Sequence, residues 1–321
     1  MWQIMLWDHP IRNGIGGICG DILDAAVKQC SSLGEKITTA VTGGGLVQEA
    51  MNDSGVNITS IMTNGVDALK STGYAICALF FIISLLELAM SERMTLEFFV
   101  KFFSKLVIGV AAVFYAGDFV NAAWNFGDTL SNYLSTISLV DGEASGVVEV
   151  GFHDLFITYL NEVEGSQWLA MLAIVIGLGI PAALASFIIV AVVYVVCFTR
   201  LLEIMVRGVF MPIACAMLSD DGWRGAGGRY IRKFIGICAQ GAVMVIIGKL
   251  TGVVMGAVCN SMKNTMTETV NDAIASASKV TPGFGFVIDV IESTMAIVGI
   301  AVACISLMFK SIGIVNDAFG G

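Results

Sequence analysis

The sequence predicts an all-α fold: a polytopic helical membrane protein with about five transmembrane helices, one re-entrant or interfacial helix, and amphipathic helices at the N-terminus. Three observations carry this. Of 321 residues only 13% are Asp, Glu, Lys or Arg and 56% are hydrophobic, about half the charged share of a soluble domain. The apolar residues fall in several long runs, each sufficient to cross a hydrocarbon core of about 30 Å as helix. With 36 Gly, 4 Pro and no low-complexity tract, the composition excludes disorder and collagen. The net charge of −9 offers no chain-wide basic surface for phosphates, so no direct nucleic-acid binding is expected.

Residues 1–71 read as an extracytoplasmic amphipathic helical region. Ile15, Ile18, Ile22, Leu23, Ala26, Cys30, Leu33, Ile37 and Val41 recur mostly at spacings of three and four with charges between them, the period of a half-buried helix. Gly43-Gly44-Gly45 breaks it, and a weaker amphipathic stretch runs from Ile58 to Lys70. Such helices lie along a bilayer or on a helical bundle. Met1 to Asp8 reaches an acid after a few apolar residues without a basic leader, so it does not read as a cleavable signal peptide.

Residues 72–117 read as a transmembrane hairpin, with spans from Thr72 to Met90 and Phe98 to Gly117 around the short segment 91–97. The next stretch, 118–167, reads as an acidic extracytoplasmic loop. It holds eight acids, Asp118, Asp128, Asp141, Glu143, Glu149, Asp154, Glu162 and Glu164, and no Lys or Arg. Basic residues favour the cytoplasmic side. Arg93, Lys101 and Lys105 therefore put the hairpin tip in the cytoplasm and leave 118–167 outside.

Residues 168–321 read as a C-terminal transmembrane bundle. From Trp168 to Phe198 the chain is apolar for 31 residues with Pro181 inside, taken as one long kinked helix, since each half is too short to span. A re-entrant segment is expected over 201–218, because Glu203, Arg207 and Pro212 interrupt an apolar run. Further spans are expected over Ile235–Gly256 and Phe286–Met308. Propagating the orientation leaves the N-terminus outside and the C-terminus in the cytoplasm.

Candidate functional residues follow from membrane physics. Gly248, Gly252 and Gly256 recur every four residues, a face on which another helix, in this chain or a second copy, approaches closely. Lys249 beside it reads as snorkelling to the interface. Glu203 and Arg207 stand four apart and form a membrane-depth ion pair, with Pro212 as the re-entrant kink. Trp223, Arg224, Arg229, Tyr230, Arg232 and Lys233 form a cytoplasmic patch for lipid headgroups or an acidic partner. Asp289 and Glu292 mark a candidate outer mouth.

Enzyme chemistry is not expected. The two histidines, His9 and His153, belong to no metal or nucleophile motif. Gly241 to Lys249 imitates a phosphate loop but has the wrong spacing and Leu250 in place of Ser or Thr. The acceptor-like triplets at Asn52 and Asn57 are short enough to arise by chance. Cys19, Cys30, Cys77, Cys197, Cys215, Cys238, Cys259 and Cys304 include no C-x-x-C pair and read as packing residues. No catalytic, metal or cofactor site is assigned.

One stretch carries a resemblance. Arg200-Leu201-Leu202-Glu203, then Met211-Pro212-Ile213-Ala214, a Gly-rich turn, and Gly228-Arg229-Tyr230-Ile231-Arg232-Lys233-Phe234 leading into a small-residue span resemble the TrbL-like polytopic inner-membrane component of type IV secretion and conjugation systems. The likeness covers about residues 165–260. It implies a non-enzymatic membrane platform or channel component of a conjugation machine in a bacterial plasma membrane. Homo-oligomers, lipid, other secretion subunits and separate cytoplasmic ATPases are the implied partners. The alternative is a small-solute transporter or ion channel, which favours inverted repeats; none is found in this chain.

Overall fold

The computed structural model describes residues 14, 17–18, 20–22, 24–30, 32–41, 58–90, 96–137, 151, 153–154, 157, 167–275 and 283–319. Among them there is no strand. The helices are α1 (Leu33–Val41), α2 (Ile58–Met90), α3 (Leu96–Phe114), α4 (Ala116–Thr136), α5 (Gln167–Val209), α6 (Met211–Ala216), α7 (Leu218–Asp221), α8 (Ala226–Ala275) and α9 (Gly283–Phe319). A 3-10 turn, Gly222–Arg224, joins α7 to α8. Four of the described helices are long and apolar enough to cross a membrane, over Ile58–Glu87, Leu184–Val209, Ala226–Thr265 and Thr294–Val315. Phe103–Phe114 and Ala116–Thr136, bent by 60° at one break, pass the same test together and make a fifth.

Three boundaries differ from the sequence reading. Helix α2 runs through the expected border at 71/72 as one 33-residue helix; the change from amphipathic to apolar composition there does not interrupt backbone hydrogen bonding, and no Pro intervenes. The acidic loop expected from 118 is helical up to Thr136, since the polar residues recur at helical spacing. Helix α5 continues through Leu201 to Val209, because Glu203 and Arg207 pair on one of its faces and neutralise each other. Of the segment 201–218 expected to be re-entrant, 201–209 belong to α5 and the remainder holds α6 and the first residue of α7. Pro212 sits in the first turn of α6, where a missing N–H costs nothing.

Gly43–Gly45, the triplets at Asn52 and Asn57, Arg93, Cys19, His9 and the stretch 138–150 lie outside the described residues, as do the side chains of Lys101, Pro181 and Asp289.

The chain divides into two compact units. The second, Thr39–Ile137, Val196–Ile246 and Met308–Gly321, holds a continuous core of Met62, Val66, Val120, Ile204, Met211, Ala216, Phe234 and Cys238, among others. Helix α2 packs on α3, α4 and α6, while α3 packs on α6 and α7. For helices of this composition close packing carries much of the association. Glycines provide it. A Cβ at Gly73 would stand 3.0 Å from the Pro212 carbonyl oxygen, and one at Gly65 would strike Val209. At the α7–α8 connection Gly222 has φ 64, a left-handed turn that favours glycine. A Cβ at Gly228 would collide with the Trp223 carbonyl.

In the first unit, Met1–Thr38, Ser138–Val195 and Ile247–Leu307, α1 buries Leu33, Gly34 and Ile37. Its contact on α8 is a pair of backbones at Gly34 and Gly248.

Candidate functional site

In the second unit α5 carries three charged residues, Arg200, Glu203 and Arg207. Arg207 Nη2 donates to Glu203 Oε1 at 2.7 Å, with both side chains about one-third exposed. The Tyr230 hydroxyl donates to the Arg207 carbonyl oxygen at 2.9 Å, tying the first turns of α8 to the last turn of α5.

Two turns earlier on α5, Arg200 reaches into the place where α4 and α8 cross. Its Nη2 donates to the Cys238 carbonyl oxygen at 3.1 Å, and its Nε is buried without a hydrogen-bond partner. The space exists because Gly241 has no side chain: a Cβ there would collide with the guanidinium and lie 2.7 Å from Ser131 Oγ. Gly127 does the same on α4, where a Cβ would strike the Cys238 carbonyl. Asp128, one residue along α4, feels the Arg200 charge without an ion pair closer than 4.0 Å among the described residues. A buried guanidinium needs polar company, since each unmet donor costs about 1–3 kcal/mol.

The glycine face divides. Gly248 packs within the chain, where an added Cβ would lie 3.1 Å from the Gly34 carbonyl oxygen and 3.2 Å from Ile37. A Cβ at Gly252 meets nothing within 4 Å. Gly256 is buried. Around this contact, burial pushes the Cys30 thiol up to about 11, helped by Cys259 and opposed by Lys36. Burial also lowers the Lys36 ammonium from its ordinary value, against Cys30 and Glu35, and Lys36 donates to Gln29 Oε1.

The patch expected at 223–233 is split. Trp223, Arg224, Arg229 and Lys233 are exposed, whereas Tyr230 and Arg232 are half-buried and Arg232 Nε is buried without a partner. Glu292 is exposed near the start of α9. Six cysteines, Cys30, Cys77, Cys215, Cys238, Cys259 and Cys304, are buried thiols.

Two arrangements escaped the sequence reading. Arg200 entered there only as the first residue of the Arg200-Leu201-Leu202-Glu203 run, with no partner assigned. The His153 backbone N–H donates to Asp24 Oδ2 at 3.0 Å, and its Nδ1 lies 2.9 Å from Asp21 Oδ1, which clamps the N-terminal helical turns to residue 153. The signal was present in Asp21 and Asp24, three apart on one helix face, but their partner is more than a hundred residues away.

No protein-family model, curated protein or solved structure matches this chain.

Proposed function

We propose that the protein is a non-enzymatic membrane platform or channel component of a conjugative type IV secretion machine, assembled as a homo-oligomer and powered by separate cytoplasmic ATPases. The observation that supports it is the bond between Tyr230 and Arg207. It joins the two halves of the stretch that resembles the TrbL-like family, with Met211 and Phe234 fully buried between them. Four long apolar helices, five with the bent pair, suit a multi-pass protein of a bacterial plasma membrane.

In this reading the N-terminus and residues 138–166 face outside, and the hairpin tip, the 223–233 patch and the C-terminus face the cytoplasm. The bent pair of α3 and α4, which together are apolar enough for one crossing, returns the chain to the outside, and Gly127 sets α4 beside the Cys238 level of α8. The test has two arms. A membrane-impermeant thiol probe should label Ser145→Cys in intact cells, and labelling only after permeabilisation sinks the orientation. Deleting the gene should abolish conjugative transfer and a plasmid copy should restore it; transfer that persists without the gene sinks the secretion reading.

A further inference from the structure

Helix α4 has three faces. Ala116, Gly117, Val120, Ala123, Gly127 and Ser131 are buried. Phe126 and Tyr133, 49% and 65% exposed, lie on a second, apolar face. On the third, Asp118, Asn121, Asn125, Asp128, Asn132 and Ser135 recur at spacings of three and four from the first turn to the last, within an arc of roughly 100° at 100° per residue. Asp118, Asn125 and Asn132 are exposed, and Asn132 Nδ2 donates to Asp128 Oδ2 at 3.2 Å. A helix lying on a bilayer needs one apolar and one polar face. A helix crossing lipid has no use for a full-length polar one, because carboxylates and amides exposed to hydrocarbon are expensive.

Two unmet atoms lie on or beside this face. Asn121 Oδ1 and Arg200 Nε are both buried with no hydrogen-bond partner among protein atoms. Arg200 is lodged against Ser131 and Gly241, and its charge acts on Asp128. Buried polar atoms at membrane depth are met by water when protein does not meet them. The face itself carries two carboxylates and no basic residue. Lys70, bonded to Asp67 at 2.8 Å, stands near Asp118 at one end.

We infer that the polar face of α4 lines a hydrated passage at membrane depth that admits water and small cations, with Arg200 as the fixed counter-charge beneath Asp128. The inference rests on the membrane-platform reading and names what its wall is made of. In a homo-oligomer, copies of this face around a shared space would form rings of carboxylate and amide groups, the chemistry that selects cations in a pore.

Single cysteines placed at Asn125, Asn132, Phe126 and Tyr133 test it in the full-length protein reconstituted into vesicles, where the protein without an added cysteine sets the background rate. A cationic thiosulfonate should modify Asn125→Cys and Asn132→Cys about tenfold faster than an anionic one of similar size, as a focused acidic field requires. Both should react faster than Phe126→Cys and Tyr133→Cys. A bimane label at 126 or 133 should be quenched by brominated acyl chains, and one at 125 or 132 should stay bright. Quenching at all four positions means that lipid surrounds α4, and quenching at none means that α4 lies outside the bilayer; either overturns the inference. So does a cation preference that persists after Asp118→Asn and Asp128→Asn are combined. None of these readings uses a transfer assay, so a gene deletion that leaves conjugation intact defeats the secretion role while the hydrated face stands or falls on its own data.

Discussion

Gly34 and Gly248 meet backbone against backbone, with the Gly34 carbonyl oxygen 3.1 Å from where a Gly248 Cβ would stand. The N-terminal helix α1 is therefore seated on α8 by the absence of two side chains. Replacing Gly248 or Gly34 with Leu should cost about 1–3 kcal/mol through overpacking, seen as faster proteolysis of the first forty or so residues in detergent. Gly252→Leu should leave that docking intact, because its site is open within the chain. Loss of assembly size in Gly252→Leu with docking preserved would assign the open glycine to contact between copies.

Arg207→Ala should weaken the protein more than Arg224→Ala. The first substitution removes the partner of Glu203 on α5 and strands a carboxylate, for about 1–3 kcal/mol; the second removes one charge from an exposed turn. Thermal unfolding in one detergent, at matched protein levels, gives the comparison. Equal shifts would show that the ion pair is solvated.

Gly241→Ala should destabilise because its methyl group competes with the Arg200 guanidinium for one space. Combining it with Arg200→Ala should recover part of the loss. A double-mutant cycle should return a coupling of about 0.5–3 kcal/mol, and additive effects would place Arg200 elsewhere.

Cys30 ionises at about 11 when folded, chiefly through burial, against an ordinary 9.0. The unfolded thiol therefore loses its proton first, so the stability that Cys30 contributes is intact below about pH 9 and is lost as pH rises towards 11. Lys36, lowered by burial, works in the opposite sense, gaining stability as pH rises. The difference between wild type and Cys30→Ala isolates the cysteine, and it should narrow by about 2–3 kcal/mol across that window. At pH 8 Cys30 should resist alkylation until Gly34→Leu releases α1.

Hydropathy made the apolar helices legible, and the four-residue spacing of Glu203 and Arg207 made their pair legible. Composition misled at 118–136, where Asp and Asn suggested a loop although their spacing of three and four belongs to a helix. It misled again at 201–209, where charge suggested a break in a helix that neutralises its own charges. Arg200 was illegible for a different reason. Its niche depends on Gly127 and Gly241, residues on two other helices whose missing side chains say nothing in sequence about what fills the space.

Helix α2 is held at Gly65 by Val209 and at Gly73 by Pro212, yet it continues without a break to Met90. From Gly73 to Met90 is about 25 Å of straight rod, so a tilt of about 10° at the Gly73 fulcrum swings the far end by about 4 Å. The arm on the other side, down to Ile58, is gripped by the core at Ile58, Met62 and Val66, whereas Leu79, Ile82, Leu86 and Met90 are exposed. α2 is in mechanical terms a cantilever: its root is clamped and its tip carries the displacement.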